Sequence, residues 1–207
     1  GINAFMLNSN DRAKQICNKV KGNDRLKDLT FYPSIPYPHK YANLVNEKGM
    51  ISAVNSLLFS SKKTNSVISK ALSGSKAYLK KDISSLMKLL IDLEMENFEK
   101  VNFQTVFLQN VITDLILGLN MDSMMVDFVE YIKYKYNAEP GFITMNAPKL
   151  IRLLVRSGIK NPLICTSLNS IGYLMSPDKK TYEKDLKKYD FKLMAMSIFA
   201  SGAISPE

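Results

Sequence analysis

Six short apolar segments alternate with helical patterns along this chain, and this alternation limits the possible folds more than any other feature. When both faces of a sheet are covered, the side chains on both sides of a strand are buried, and the strand is apolar throughout its length. A series of such strands, separated by helices, predicts a parallel sheet with helical crossovers. The predicted strands are Ile2–Leu7, Leu29–Tyr32, Phe103–Leu108, Gly141–Met145, Pro162–Ser167 and Leu193–Phe199, and we expect Leu193–Phe199 to be a central strand.

Two α/β architectures fit this alternation, a (β/α)8 (TIM) barrel and an open doubly wound parallel sheet. The sequence has no GxGxxG motif after its first strand and no GxxxxGK[ST] motif, which argues against the nucleotide-binding open sheets. The sequence begins at a strand and ends at a helix N-terminus, so six units with one or two more would make a barrel. We therefore predict a barrel, complete or incomplete, with the open sheet as the alternative. The 207 residues correspond to a single domain, 1–207.

Residues 60–100 interrupt the regular alternation. The stretch is first polar and rich in lysine, and a short helical pattern then ends near Gly74. A longer helical pattern begins at Asp82 and places Ile83, Leu86 and Leu90 on one face. This stretch is too long for a simple connection between a strand and a helix. We predict a helical insertion or lid, with a hidden strand near 77–79 as the alternative.

The net charge of +9 invites a nucleic-acid-binding interpretation. The excess is almost all lysine, however, and it is spread along the chain without a basic stripe or interleaved aromatic residues. We therefore predict a solvated basic surface and no nucleic-acid partner. No apolar run approaches the roughly 18 residues that a membrane span needs, so we predict no membrane partner. The sequence is compatible with a homo-oligomer.

Cys17 and Cys165 are the only two cysteines in the sequence. They fall in a predicted helix and a predicted strand, where a thiol usually packs in the core. Two separated cysteines suggest neither a disulfide framework nor a zinc site. These observations predict a protein of the reducing cytoplasm.

Several segments resemble the later part of TIM-barrel proteins, as found in an uncharacterised prokaryotic family. They read FYPSIPYPHKYANLVNEKG, GFITMNAPKL, PLICTSLNSIGYLMSP and KLMAMSIFASGAISPE. The resemblance covers most of the chain outside 60–100, and it brings no known activity. It implies that any chemistry takes place at the carboxyl ends of the strands and that late βα loops bind phosphate.

The residues at the predicted strand ends are rich in amides and hydroxyls and poor in charge. A catalytic metal needs about three His or carboxylate ligands, which these ends do not supply, so we predict no metal site. Histidine titrates near neutral pH, which makes His39 the best candidate for a general acid or base. In its proline-rich loop lie Tyr37 and Lys40, and Asn110 follows another strand; these four are the predicted catalytic residues. The alternative for His39 is a structural role, and one X–Pro bond of this loop, after Tyr32 or Tyr37, is a candidate for cis.

The segment after the last predicted strand suggests an anion site. Small residues there are followed by Ser205-Pro206-Glu207, which is typical of a helix N-terminus, where free N–H groups suit a phosphate. A plain turn is the alternative at this place, and a helix N-cap is the alternative for Asn146. The predicted substrate- or anion-binding residues are Asn8, Asn146, Asn169, Ser197, Ser201, Gly202 and Ala203.

Two functional classes remain open from the sequence. The first is a metal-independent barrel enzyme, a lyase or isomerase that acts on a small anionic or phosphorylated metabolite. The second is a non-catalytic binding or scaffold protein, built on a barrel that a partner completes. We favour the enzyme and predict no cofactor. FMN is the alternative cofactor, because the Gly202 corner could hold its phosphate.

Overall fold

A computed structural model describes residues 2–39 and 79–206, with the side chains of 79–83 excepted. Lys40 and the predicted helical patterns between it and Gly74 lie outside the described residues. The strands are β1 (Ala4–Asn8), β2 (Thr30–Ile35), β3 (Asn102–Phe103), β4 (Thr105–Leu108), β5 (Glu139–Thr144), β6 (Leu163–Ser167) and β7 (Lys192–Met196). The helices are α1 (Asp11–Val20), α2 (Leu79–Met95), α3 (Asn110–Gly118), α4 (Asp122–Tyr136), α5 (Ala147–Arg156) and α6 (Lys179–Lys188).

The seven described strands belong to one parallel sheet, as the alternation predicts. Its order is β1-β2-β4-β5-β6-β7, and the two-residue strand β3 also pairs with β2. The spatial order therefore follows the chain from one edge of the sheet to the other. The sheet is strongly curled into a half-barrel, so the chain is an α/β protein with a barrel-like parallel sheet.

The helices pack against one face of this sheet, which we call the outer face. Every helix from α1 to α6 contributes a buried apolar residue to a single core. The sheet contributes alternate residues to the same core, including Val106, Phe142 and Ile164. This alternation follows from the two-residue period of a strand, which sends successive side chains to opposite faces.

The opposite face of the sheet, which we call the inner face, is also apolar. Phe107, Ile143 and Cys165 form its buried cluster. Gly141 lies beside the Phe107 ring on this face, and a Cβ atom at residue 141 would come within 2.6 Å of that ring. Glycine therefore allows the strand to pass the aromatic side chain. Partly buried residues that extend the cluster are Met6, Tyr32, Leu163, Met194 and Met196.

The prediction that Leu193–Phe199 forms a central strand is wrong. β7 ends at Met196, because Ser197 has a left-handed φ of 53°. It lies at an edge of the sheet, where β6 is its only strand neighbour among the described residues, and its side chains are exposed or half-buried. The apolar sequence of this segment resembles that of a buried strand, but a strand with one neighbour remains accessible to solvent.

Three further details differ from the predictions. Helix α2 begins at Leu79 instead of Asp82, and 60–78 lie outside the described residues, so only the second half of the predicted insertion is seen as helix. The predicted strand Phe103–Leu108 is divided between β3 and β4. The cis bond of the proline-rich loop is Ile35–Pro36, and the bonds after Tyr32 and Tyr37 are not cis.

None of the described helices is long and apolar enough to cross a membrane.

Candidate functional site

The carboxyl ends of parallel strands lie at one edge of a sheet, and this edge is the candidate site. The residues there belong to two groups. The first corner lies at the ends of β1 and β2. The second corner is made by the ends of β5 to β7 and the helix α3.

The first corner contains a buried hydroxyl group on the inner face. Ser34 precedes the last residue of β2 and lies between Asn8 of β1 and Phe107 of β4 in the ladder. It is 1% exposed, and its Oγ has no hydrogen-bond partner within the described part of the chain. Buried polar atoms in native proteins almost always have a partner, which makes this hydroxyl unusual.

The loop that follows β2 is held by a buried carboxylate. The backbone N–H of Tyr37 donates to both carboxylate oxygens of Glu94, at 3.0 and 2.9 Å. Glu94 is fully buried in α2, and its backbone oxygen also accepts from the Ser9 hydroxyl at 3.5 Å. The Asn97 amide donates to the same hydroxyl at 2.8 Å. These contacts tie the loop after β2 to the buried side chain of Glu94 in α2.

Two of the predicted catalytic residues meet at this loop. The rings of Tyr37 and His39 have their centroids 5.4 Å apart, and His39 is exposed. Asn8, a predicted anion-binding residue, is exposed at the same edge and pairs with Ser34 in the ladder. The first corner therefore contains two pairs of residues at the ends of β1 and β2: Asn8 beside Ser34 in the ladder, and Tyr37 beside His39 in the loop that follows.

Asn110, the fourth predicted catalytic residue, does not lie in a loop. It is the half-buried first residue of α3, and the side chain of Gln109 caps this helix by accepting from the Val111 N–H at 2.8 Å. One turn later, Asp114 accepts hydrogen bonds from the Thr144 hydroxyl and from the backbone N–H of Met145. Burial raises the pKa of Asp114 above its ordinary value, although both hydrogen bonds oppose this shift.

A network around Tyr182 fixes the turn between β5 and α5. Its hydroxyl donates to the Met145 carbonyl at 2.7 Å and accepts from the Ala147 N–H at 3.1 Å. Asn146 lies in this turn, and its side chain accepts from the Lys149 N–H at 3.1 Å. Asn146 is therefore a helix N-cap, the simpler of its two predicted roles.

Asn169 uses its whole side-chain amide to join two loops. Its oxygen accepts from the Tyr173 N–H at 2.8 Å, and its nitrogen donates to the carbonyls of Tyr173 and Ser197, at 2.8 and 3.3 Å. The Ser201 hydroxyl donates to the Tyr173 hydroxyl at 3.1 Å. The Asn169 side chain, the Ser197 carbonyl and the Ser201 hydroxyl are thus all engaged in hydrogen bonds that hold these loops.

The segment of the predicted phosphate site is a short 3-10 turn, Ala200–Gly202. The N–H groups of Gly202 and Ala203 donate to the carbonyls of Phe199 and Ala200, at 2.8 and 3.2 Å. Ser205 and Pro206 are not helical. In this conformation the N–H groups of Gly202 and Ala203 are engaged within the turn.

Neither cysteine thiol is placed to be reactive. Cys17 and Cys165 are both buried, as predicted for core thiols. Burial raises the pKa of Cys165 to about 11, so its thiolate is scarce at neutral pH. Within residues 2–39 and 79–206, no group of three or more His, Cys, Asp or Glu residues is placed to hold a metal ion.

Sequence reasoning missed Glu94 as a site residue. The sequence feature that could have identified it is its position on the apolar face of α2. That face has the spacing i, i+3, i+4, i+7 and consists here of Ile91, Glu94, Met95 and Phe98. An acidic residue on an apolar face is buried, and a buried carboxylate needs partners. Those partners lie in a loop more than fifty residues earlier, so they could not be read from the local pattern.

Comparison with known proteins gives no family assignment: no protein-family model, curated protein or solved structure matches this chain.

Proposed function

We propose that the half-barrel is a TIM-type barrel, complete or incomplete, and that the chain is a metal-independent enzyme of the lyase or isomerase class. Its substrate is a small anionic or phosphorylated metabolite, bound at the carboxyl ends of the strands. The single observation that carries this proposal is the Ser34 hydroxyl, which is buried without a partner in the described chain. Such a group costs about 1–3 kcal/mol. An oxygen atom of a substrate would satisfy it.

Residues of the loop that follows Ser34 support acid–base chemistry. His39 is exposed beside Tyr37, and the Tyr37 backbone is fixed by the buried Glu94. This arrangement limits the motion of the loop before any substrate binds, which favours a productive orientation. Asn8 adds an amide next to Ser34 in the ladder.

In the proposed reaction, His39 accepts a proton from a carbon atom next to a carbonyl group. Ser34 and Asn8 donate hydrogen bonds to the carbonyl oxygen, on which negative charge develops as the carbon–hydrogen bond breaks. In an isomerase His39 returns the proton to the former carbonyl carbon, while the hydroxyl proton of the deprotonated carbon moves to the former carbonyl oxygen. In a lyase a carbon–carbon double bond forms as the bond to a leaving group on the next carbon breaks, and His39 gives the proton to that group.

The apolar inner face beneath this corner supports the same assignment. Phe107 and Tyr32 lie edge to face there, with ring centroids 6.0 Å apart. Hydrogen bonds to a developing charge are stronger beside such a low-dielectric surface than in water. The proposed roles of Lys40 and Asn110 as further catalytic residues, and of the Ser201–Ala203 turn as a phosphate site, remain predictions.

The proposal is tested by proton exchange in D2O. Aldose phosphates, ketose phosphates and 2-oxo acids are incubated with the protein, and NMR follows the replacement of their carbon-bound hydrogen by deuterium. Enzymatic exchange is expected with at least one of these classes. It should fall by at least about 100-fold in His39→Ala and by a similar factor in Ser34→Ala.

Ser123→Ala is the matched control, because Ser123 is an exposed serine in α4. It should exchange at the rate of the unmodified protein. The proposal is wrong if no compound exchanges above its spontaneous rate, or if His39→Ala leaves the rate unchanged.

A further inference from the structure

A row of polar contacts joins one side of α2 to α4. The Ser84 hydroxyl donates to Asp127 at 2.7 Å, and the Lys88 ammonium lies 5.6 Å from the centre of the Tyr131 ring. Asp92, one turn after Lys88, accepts from the Tyr131 hydroxyl at 2.6 Å. Residues at intervals of four follow one another along the same side of a helix. The contacts of Ser84, Lys88 and Asp92 therefore form a continuous row, which we call the polar seam.

At the end of the polar seam, Asp92 binds three side chains of α4. Its Oδ1 atom accepts from the hydroxyls of Tyr131 and Tyr136, each at 2.6 Å, and its Oδ2 atom accepts from the Lys135 ammonium. The Lys135 ammonium also donates to the Tyr131 hydroxyl at 3.0 Å. Burial and, to a smaller extent, the bonds to Asp92 raise the pKa of both tyrosines, so each hydroxyl keeps the proton that it donates. Within the described chain, every hydrogen bond of the Asp92 side chain goes to α4.

The same turn of α2 also holds the loop after β2. Glu94 lies two residues after Asp92, and two residues correspond to about 200° around a helix axis. Their side chains therefore point to different neighbours: Asp92 binds α4, and the Glu94 carboxyl group accepts from the backbone N–H of Tyr37 at 3.0 and 2.9 Å. Because α2 ends at Met95, both residues belong to its last turn. A displacement of that turn against α4 would move both carboxyl groups.

Apolar packing specifies the position of this turn less narrowly than the polar seam does. Met87, Ile91 and Met95 of α2 are buried at intervals of four residues. A flexible methionine adapts to many surroundings, and apolar contacts are not directional. A hydrogen bond, in contrast, weakens steeply outside a narrow range of distance and angle. The bonds of Asp92 therefore restrict the rotation and the axial position of the last turn more than its apolar contacts do.

We propose that Asp92 is a positioning residue for the first corner. Its bonds to Tyr131 and Tyr136 hold the last turn of α2 where the Glu94 carboxyl group meets the N–H of Tyr37. The loop after β2 is thus ordered by an interface between two helices, and weakening that interface frees the loop. The consequence for catalysis rests on the proposed function of the first corner, whereas the ordering of the loop does not.

The test measures hydrogen exchange at the Tyr37 backbone amide, by NMR of the isotope-labelled protein without substrate. Slow exchange is expected in the unmodified protein, because this N–H is hydrogen-bonded to a buried group. Asp92→Ala removes the carboxyl group, and the double variant Tyr131→Phe/Tyr136→Phe removes only the two hydroxyls that bind it. Circular dichroism confirms that each variant is folded. If Asp92→Ala does not fold, the double variant decides the test by itself.

Asp122→Ala is the matched control. Asp122 is another acidic residue at an interface of α4, with a side chain that is 38% exposed against 31% for Asp92, and it is paired with Arg156 of α5. Its substitution removes an ion pair of α4 and leaves the polar seam intact. The amides of β5 and β6 provide the internal reference, since a general loss of stability accelerates their exchange as well.

Both seam variants should accelerate exchange at Tyr37 by at least about tenfold, and by more than they accelerate exchange in β5 and β6. Asp122→Ala should leave the Tyr37 rate close to that of the unmodified protein. The proposal is overturned if the seam variants leave the Tyr37 rate unchanged, if they accelerate β5 and β6 by the same factor, or if Asp122→Ala accelerates Tyr37 as much. Because no substrate is present, such a result would leave the proposed function standing, and a lack of substrate exchange would leave the role of Asp92 standing.

Discussion

Replacing Ser34 by alanine should stabilise the protein in the absence of ligand. In most buried positions a serine hydroxyl has a partner, and its loss destabilises the fold. The Ser34 hydroxyl is 1% exposed and has no partner in the described part of the chain. Unfolding restores its hydrogen bonds to water, so the hydroxyl favours the unfolded state.

The expected size of this effect follows from the desolvation of the hydroxyl. A buried unsatisfied donor costs about 1–3 kcal/mol, and the small void left by alanine offsets part of the gain. We expect Ser34→Ala to raise the free energy of unfolding by about 1 kcal/mol. For a chain of this length, 1 kcal/mol corresponds to about 2–4 °C in the melting temperature.

The assay is urea unfolding of the two proteins, followed by circular dichroism, with Ser9→Ala as the matched control. Ser9 is equally buried, but its hydroxyl accepts from the Asn97 amide and donates to the Glu94 carbonyl. Its removal should therefore destabilise by about 0.5–1.5 kcal/mol. Ser34→Ala and Ser9→Ala should thus shift the unfolding midpoint in opposite directions.

A loss of about 1 kcal/mol or more in Ser34→Ala would refute this reasoning. It would mean that the hydroxyl has a partner in the free protein, and the observation that carries the proposed function would then be removed. A gain in stability together with a loss of proton exchange is the combined result that we expect. The same substitution would then raise the free energy of unfolding and lower the rate of proton exchange.

Three further predictions concern the packing and the electrostatics of the sheet. Ile164→Ala removes a fully buried side chain between sheet and helices and should lower the free energy of unfolding by about 2–5 kcal/mol; a loss below about 1 kcal/mol would contradict its place in the core. Gly141→Ala places a Cβ atom 2.6 Å from the Phe107 ring and should lower the free energy of unfolding in urea by about 1–3 kcal/mol. Adding Phe107→Leu should recover part of this loss. Strictly additive effects of the two substitutions would argue against the contact. Burial raises the pKa of Asp114 in the folded state above its ordinary value of 3.8. The contribution of this carboxyl group to stability is therefore fully present below pH 3.8, and it is lost as the pH rises through the higher pKa of the folded state. The unmodified protein should therefore lose stability relative to Asp114→Asn as the pH rises through this range, as measured by thermal unfolding. If the melting temperatures of the two proteins change in parallel with pH, the pKa of Asp114 is not raised.

The sequence predicted much of the architecture because its signals are local. Strands and helices differ in the period of their apolar residues, and that period is visible within ten or fifteen residues. The alternation of the two then predicts parallel pairing, since a helical crossover returns the chain in the same direction. Local capping signals were equally informative, as the N-cap role of Asn146 illustrates.

The site was predicted less completely, because a list of strand ends does not say which polar groups are already engaged. Asn169 and Ser34 both belong to the polar strand ends in the sequence. The structure gives Asn169 three hydrogen bonds within two loops, and it leaves the Ser34 hydroxyl without one in the described chain. Whether a polar side chain has a hydrogen-bond partner depends on residues that lie far apart in the chain, so the sequence alone does not distinguish Asn169 from Ser34.

The sequence by itself determined that this chain alternates strands with helices, that its sheet is parallel and that its strand ends are polar and poor in charge. The tertiary structure decided which strand lies at an edge, which carboxyl group holds the loop after β2, and which hydroxyl is buried without a partner among the described residues. Leu193 shows the physical reason. Its apolar segment predicts burial, but burial requires neighbours on both sides, and the number of neighbours is a property of the assembled sheet.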